Sequence, residues 1–493
     1  IYNNAPVSPY KSFLFQGHVL DENGNKMSKS KGNVLEAKEL LEKYPADLVR
    51  FYFMWKSSPI EPLNFSTKEL MSRPYQVIST LYHLHTFYKQ NSEYDNFSLE
   101  ESTIGWAKKN ELLTPPDVWL LSKLQRMIEK TTESNNSCRF HESAKAIEDF
   151  LINSLSQIYI PITKSELWDE DDSKKDRRFT IYAILAKTLK TIDILMHPFA
   201  PFTTQYLYEA IFSEKENILL ESWPKIDTTL IDEKVETSFD LLKETVSVTS
   251  AARMKGKLKR RWPLNQALIC VSKGQKQVLE SLSDLAKSQM NVQNYETFEI
   301  EKTEGIEQYL ELKEKGLPVI PKIELERSAI GPKAKQDMGK LLKMFSETEP
   351  ESIINGLKEK NSYTFNIGEN SIVLDKEDFI VDFEVNEKYQ FAKRQNLIVI
   401  ISLERDDEMM AKGLIKDLAR RIQTLRKERG YNPTDILSKA SILDLDQDSL
   451  ELIKEKTEEI AFLVRVKSVD FTDSCKEYKE DDIDGLKIRI GVE

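Results

Sequence analysis

Residues 17–33 read GHVLDENGNKMSKSKGN, and the placement of this stretch decides how the rest of the chain is organised. The run Lys26-Met27-Ser28-Lys29-Ser30-Lys31, closed by Gly32-Asn33, packs three lysines and two serines together and cannot build a core, so it reads as a mobile, positively charged loop. Ahead of it, KSFLFQGHVL (residues 11–20) is short, apolar and β-prone, which predicts a buried strand. Behind it, VLEAKELLEKYPADLVRFYFMWKSS has helical spacing, with Asn33 as N-cap and Pro45 starting a second helix over Ala46–Trp55. A strand, a charged loop and a capped helix predict the end of an α/β layer domain over residues 1–66.

Outward from there, apolar residues at three- and four-residue spacing predict helices from about Thr67 to Ser213, broken at Pro115-Pro116, at DEDDSKKD and at Pro198–Pro201, where an antiparallel bundle needs turns. This gives an all-α domain over 67–236. After Trp223-Pro224 the pattern becomes mixed, predicting an α+β region over 237–493 with two or more subdomains. Within it, the order of basic helix, turn with an aromatic-Pro or aromatic-X-Pro step, strand, helix, strand occurs twice, starting at DLLKETVSVTSAARMKG and at AKGLIKDLARRIQTLRKE, which points to a diverged duplication. The chain is multidomain and mainly helical.

Composition excludes several classes. At 493 residues, two to four domains are expected, and 40% hydrophobic with 31% charged residues describes a globular, helix-rich protein. Lys+Arg 70 against Asp+Glu 81 gives −11, so any nucleic-acid contact has to come from local basic patches. Cys138, Cys270 and Cys475 lie far apart, with no CxxC pair, which predicts inert thiols, a reducing cytoplasmic setting and no thiolate zinc site. No apolar run approaches 18 residues, so no membrane partner is expected. The chain begins at Ile1 with neither an initiator Met nor a signal-peptide pattern and reads as the later part of something longer.

Lysine ammoniums on flexible stems suit phosphate, and small serines let the backbone approach a ligand closely. The string KMSKS arises by chance in a chain like this roughly once in a thousand, so a phosphate-binding loop is favoured over a solvated one. Two other basic clusters are candidates for RNA. Arg253, Lys255, Lys257, Lys259, Arg260 and Arg261 stand together without an acid and are followed by Trp262, a pattern suited to phosphate contacts plus stacking, although Trp262 reads equally well as a core anchor. Arg420, Arg421, Arg426, Lys427 and Arg429 lie on a helix with an inward apolar stripe and read at least as well as a solvated face. HPFAPF reads as a structural kink in which Phe199 and Phe202 pack, Trp119, Trp168 and Trp223 as core or joint residues, the histidines of HLH (83–85) as a structural or surface pair, and DEDD (169–172) as a solvated turn.

GHVLDENGNKMSKSKGN resembles the second signature of the class I aminoacyl-tRNA synthetases. ADLVRFYFMWKSSPIEPLNFS, PDVWLLSKLQ, FHESAKAIEDFLINSLSQIYI, HPFAPFTTQYLYEAI, ESWPKID, AARMKGKLKRRWPL and LARRIQTLRKERG resemble isoleucyl-tRNA synthetases of the archaeal and eukaryotic-like type, with residues 300–400 the least marked. The resemblance implies the tail of a Rossmann-like α/β catalytic domain, an all-α anticodon-binding bundle and α+β C-terminal domains. It implies a monomeric, cytoplasmic ligase that attaches isoleucine to tRNA(Ile) through an aminoacyl-adenylate, with ATP and Mg2+ as substrate and no zinc in this chain. Lys29 then contacts the ATP phosphates, Lys26, Ser28 and Ser30 shape the loop, and the strand carrying Gly17, His18 and Val19 lies against the adenine. The family's first signature, His-x-Gly-His, is not formed by His18, His83, His85, His141 or His197, and the amino-acid pocket and editing domain precede the loop in this family. The expectation is therefore a C-terminal half, inactive alone. A valyl or leucyl half and a non-catalytic tRNA-binding module stay open, although the strand-like YTFNIGENSIVLDKEDFIVDFEV replaces the coiled coil expected of a valyl enzyme, and a methionyl enzyme lacks so long an extension.

Overall fold

A two-stranded parallel ladder carries the lysine loop. In the computed structural model, which describes residues 13–169, 171–212, 216–368, 370–432, 435–483 and 486–493, Val19 pairs with Leu63 and Leu20 with Asn64. The strand is far shorter than residues 11–20 predict, and Phe13 and Phe15 are 65% and 71% exposed rather than buried. A two-residue parallel pair can cover neither of its own faces, so β-propensity alone does not bury the run. Gly17 is required at its start, because a Cβ there would lie 2.1 Å from the Glu61 carbonyl oxygen. The start at Ile1, the first residues of the predicted strand (Lys11 and Ser12), Glu170 of the acidic turn and Pro433 of the second aromatic-X-Pro step lie outside the described residues.

The chain divides into two compact units, Ile1–Phe239 and Asp240–Glu493. In the first, the helix after the loop is Ala37–Lys43 with Glu36 at its cap, so Asn33 is not the cap and is used elsewhere. Pro45 does precede a helix, Ala46–Lys56. The bundle follows as helices Arg73–Tyr94, Pro115–Asn136, Phe140–Asp149, Ile160–Leu167, Lys175–Met196 and Pro201–Ile211, with a π-helical stretch over Phe150–Tyr159. Pro115 and Pro116 sit in a first turn, where backbone N–H groups lack helical partners anyway. Trp119 is fully buried and stacked on Phe239 at 4.8 Å. Trp223 donates its indole N–H to Thr132 at 2.9 Å, and Lys164 lies over the Trp168 ring. His85 is buried against Asp193, with Nε2 2.8 Å from the carboxylate and Nδ1 2.9 Å from the Leu81 carbonyl, so half of the HLH pair is structural.

HPFAPF starts the last bundle helix, as its prolines predict, but only one of its phenylalanines packs. Phe199 is fully buried and Phe202 is 73% exposed. The segment is held by polar contacts from the Ala46–Lys56 helix. Asp47, itself buried, accepts the Thr203 N–H at the new helix's first turn, and Arg50 Nε donates to the Pro198 carbonyl at 2.9 Å. The acidic turn is closed by Asp171, which accepts the Ser173 N–H, and by a Lys174–Asp169 ion pair.

The second unit contains the predicted duplication. One sheet runs Val292–Ile300, Leu264–Ser272, Leu397–Ser402, Tyr389–Arg394, and the other runs Val466–Asp470, Leu437–Leu443, Leu486–Val492, Lys479–Ile483. In each, the first pair is parallel and the other two antiparallel. Each parallel pair is joined through two short helices, Lys276–Glu280 and Ser283–Met290 in one copy, Gln447–Ile453 and Thr457–Val464 in the other. Residues 301–388 are inserted between the second and third strands of the first copy, and they build their own core around Tyr309, Leu312, Phe365 and Phe383 against Cys270 and Ile398 of the sheet.

A buried arginine makes the equivalence exact in number. Arg253 ends the helix Glu233–Lys255 and donates to the carbonyls six and nine residues on, Lys259 (3.1 Å) and Trp262 (2.7 Å), and to Met290 and Asn291 (both 2.9 Å). Arg426 ends the helix Asp407–Glu428 and donates to the carbonyls six and nine residues on, Asn432 (3.3 Å) and Asp435 (2.7 Å), and to Val464 and Arg465. Asn291 and Arg465 both take left-handed φ, 54° and 52°. Both arginines are 2% exposed, and burial without a counter-charge pulls Arg253 down to about 10. Two of these four carbonyls keep a backbone donor, Lys259 from the Trp262 N–H (3.1 Å) and Asn291 from the Leu264 N–H (3.0 Å), so Arg253→Met strips those of Trp262 and Met290 and should lower stability by about 2 kcal/mol or more, because each buried carbonyl left without a donor costs about 1–3 kcal/mol. Urea unfolding measures this, and an unshifted midpoint would show that the carbonyls have another source of donors.

Candidate functional site

The lysine loop is tied back by the Asp21 and Asn33 side chains and leaves its cations open. Asp21 Oδ1 accepts the N–H groups of Asn23 (3.0 Å) and Asn25 (2.8 Å), which closes the first turn. Asn33 then reaches back across the loop. Its amide donates to Asp21 Oδ2 (2.9 Å) and the Lys26 carbonyl (3.3 Å), and its Oδ1 accepts the Ser28 N–H (3.0 Å). Lys29–Lys31 form one 3₁₀ turn that ends on Gly32 at φ 68°, where any side chain would be strained. Ser28 and Ser30 hydroxyls lie 3.2 Å apart. Met27 turns inward against the apolar cluster of Leu40, Leu48, Tyr52, Leu63 and Phe65, pinning the loop at one point.

The Lys29 side chain is 88% exposed, and its ammonium is 3.9 Å from Glu36, a contact worth little in water. Lys26 is also exposed. His18 offers its carbonyl to Leu63 N–H (2.9 Å), while its side chain and that of Val19 stay exposed. Beside the ladder, a cavity of about 540 Å³ is lined by Gly17, Val19, Phe53, Met54 and Leu63. An anion reaching the loop would meet exposed ammoniums on a turn held in shape by the Asp21 and Asn33 side chains.

The cluster at 253–262 divides in two. Arg253 is committed to the four carbonyls described above. Trp262 donates its indole N–H to the fully buried Asp417 (3.1 Å) and lies so close over Gly413 that a Cβ there would be 2.5 Å from the ring. Arg405 covers the ring at 5.1 Å. Arg261 (3.0 Å) and Lys259 (3.5 Å) also face Asp417. Lys255, with its ammonium 5.1 Å from the Phe391 ring, and Lys257 and Arg260 are exposed. Asp417, which organises this turn, gives no sequence signal, because its partners lie some 155 residues away along the chain. On the same helix, Arg421 and Arg429 are drawn onto the carbonyls of Asp482 and of Val492 and Glu477, Arg426 is buried, and Arg420 and Lys427 are exposed.

Residues 3–66 match the family model described as tRNA synthetases class I (I, L, M and V), and residues 117–268 match the anticodon-binding domain of tRNA ligase. The chain is similar to the isoleucine–tRNA ligase of Methanopyrus kandleri, 26% identical over 98% of this chain and 43% of the relative. It is similar to those of Porphyromonas gingivalis (27%, 99% and 41%) and Clostridium tetani (28%, 99% and 45%). The chain thus spans less than half the length of the curated relatives it matches. Among solved structures, a leucyl-tRNA synthetase–tRNA complex from Agrobacterium radiobacter aligns at 22% identity over 44% of this chain and 24% of that one, with a TM-score of 0.34, a likeness too slight to argue from. Among the described residues no group of three or more His, Cys, Asp or Glu is placed to hold a metal, and no helix is long and apolar enough to cross a membrane.

The loop's clasp carries a pH signature. The Asn33 amide, and then the Asn25 N–H, hold the Asp21 carboxyl below its ordinary range. Its contribution to loop order is therefore complete above the unfolded carboxyl pKa near 4 and is lost as pH falls through the lower folded value. Asn33→Ala should mimic that loss at neutral pH. Amide exchange at Ser28 should speed up while exchange in the Ala46–Lys56 helix is unchanged, and equal exchange at Ser28 in both proteins would refute the clasp.

Proposed function

We propose that this chain is part of a class I isoleucine–tRNA ligase and that it supplies the phosphate-facing lysine loop and surfaces for the tRNA. The observation that carries the reading is the loop itself: a closed backbone, an inward Met27 and an uncommitted Lys29, in a segment that matches the class I synthetases. In adenylate formation a carboxylate oxygen of the amino acid attacks the α-phosphorus of ATP and pyrophosphate leaves. Negative charge grows on the departing oxygens, and an ammonium that meets it only in the transition state lowers the barrier. Lys29 takes that role, Lys26 with Ser28 and Ser30 keeps the turn in shape, and His18 and Val19 offer the strand surface for the adenine. Magnesium enters with ATP as substrate. Residues 1–66 serve as the end of the catalytic domain, 67–236 as the anticodon-binding bundle and 237–493 as the α+β region.

The RNA reading of 253–262 narrows to its open cations. Lys255, Lys257 and Arg260 face solvent and suit phosphates, with Lys259 and Arg261 beside them, whereas Arg253 and Trp262 hold the turn that presents them.

In the protein that contains this chain, Lys29→Ala should lower the rate of adenylate formation about 10²–10³-fold while amino-acid affinity stays nearly constant, the pattern expected when an interaction made only in the transition state is removed. Isoleucine-dependent pyrophosphate exchange reads this, and an unaltered rate removes the loop from catalysis. For RNA, the joint change of Lys255, Lys257 and Arg260 to Ala should weaken binding of isoleucine-accepting tRNA and flatten its salt dependence, by a slope of about 0.7–0.9 for each phosphate that is no longer neutralised. Trp262→Ala should instead lower the melting temperature and weaken all RNAs alike. A Trp262→Ala protein of normal stability that loses only cognate tRNA would restore the ring to a base-stacking role.

A further inference from the structure

The hydrogen bonds around one buried histidine fix how many protons it shares. His85 and Asp193 are 1% and 0% exposed and face each other from the helices Arg73–Tyr94 and Lys175–Met196. Nδ1 of His85 lies 2.9 Å from the Leu81 carbonyl, which can only accept, so this nitrogen carries a proton. Nε2 lies 2.8 Å from Asp193 Oδ2, and so short an approach of a bare ring nitrogen to a carboxylate oxygen needs a second proton between them. Whether that proton rests on the nitrogen or on the oxygen, the pair holds two protons and no net charge. Asp193 Oδ1 is buried without a hydrogen-bond partner among the described residues, which a neutral carboxyl tolerates better than a carboxylate. Burial pushes this carboxyl above its ordinary range, while His85 pulls the other way.

The titratable groups on the surrounding elements are turned to other partners. Lys89 faces Glu93, Tyr159 donates to Asp117, Tyr182 donates to Asp95, Lys190 and Tyr208 meet Glu221, and His197 meets Thr204. Phe212 meets the His85 ring edge-on at 6.4 Å and stacks on Tyr88, which closes the pair off from water.

We propose that His85 and Asp193 form a proton-operated clamp between the two helices, which takes up one proton when the bundle folds at neutral pH and lets the helices part when base removes it. In the unfolded chain a carboxyl ionises near pH 4 and an imidazole loses its charge near pH 6.5, so above that point the two groups hold one proton between them instead of two. The clamp's contribution is therefore complete between about pH 4 and 6.5. Above that window it falls about tenfold in the folding constant for each pH unit, until the folded pair gives up its proton. What remains then is a buried carboxylate against a bare ring nitrogen. Asp193 also accepts the His197 N–H on its carbonyl (2.9 Å), at the start of HPFAPF, so the clamp stands beside the segment that Arg50 ties to the Ala46–Lys56 helix. This device needs neither ATP nor tRNA and is independent of the function proposed above.

Asp193→Asn tests it, because the amide can donate to Nε2 while Nδ1 still donates to Leu81, replacing the shared proton by one that does not titrate. Urea unfolding of the 493-residue chain between pH 5 and 9 reads the effect by tryptophan fluorescence, to which the first unit contributes every tryptophan but Trp262. All other titrations cancel in the ratio of the two folding constants. Unaltered over variant, that ratio should fall about tenfold for each pH unit, since the unaltered folded pair holds one proton more. A ratio that does not change with pH overturns the proposal. Should the variant not fold, histidine NMR of the unaltered chain decides. Of its five histidines, the ring in contact with Phe212 should keep one set of shifts from pH 5 to 8, and a ring there that titrates in this range overturns the clamp.

Discussion

A main-chain carbonyl or N–H that is removed from water and left outside any helix or strand ladder needs a partner from another backbone group, a side chain or water, at a cost of about 1–3 kcal/mol if it has none. This constraint recurs wherever the chain turns between elements. At the lysine loop the Asn33 side chain partners the half-buried Ser28 N–H, and the Asp21 carboxylate closes the exposed turn before it. At the start of the Pro201–Ile211 helix the Asp47 carboxylate does so. In both copies of the duplicated subdomain an arginine fork spans four carbonyls at once. An asparagine or arginine that closes a turn in this way is unavailable to a ligand, and the cations that remain are the ones that can act.

Separating spent from unspent charge changes how the basic stretches are understood. By composition, Arg253 and Lys257 are indistinguishable members of one run. The backbone separates them: Arg253 lies in the last turn of a helix facing inward, while Lys257, at φ 55°, is turned outward by the reversal that follows. The same reversal falls at Gly430 in the second copy, with φ 80°, where no lysine stands. The fold of the turn was thus duplicated while its basic charge was thinned, since Lys427 and Arg429 of the second copy stand beside Glu428 and Asp435.

Local signals were legible and long-range ones were not. The charged loop, the helix after Pro45, the bundle's breaks and the twofold order of the C-terminal region follow from spacing and turn chemistry, which act over a few residues. The predicted strand over 11–20 overreached because β-propensity does not say whether anything covers the strand. Asn33 looked like a cap because it precedes a helical pattern, yet its partner Asp21 is 12 residues back. The duplication was visible, but the aromatic-Pro step was the wrong landmark: the matching carbonyls pair Trp262 with Asp435, and the shared residue is the arginine. Asp417 was invisible because a single acid among basic residues means nothing until the fold brings Trp262, Arg261 and Lys259 to it.

On our proposal the open lysine turn handles the phosphates of ATP in an enzyme that activates isoleucine. Amino-acid-dependent exchange of pyrophosphate into ATP by the full-length protein tests it most directly, because the reaction needs the loop but no tRNA. Exchange stimulated by isoleucine well above valine, leucine or methionine is the predicted result. Exchange stimulated best by another amino acid, or absent with all four, would contradict it.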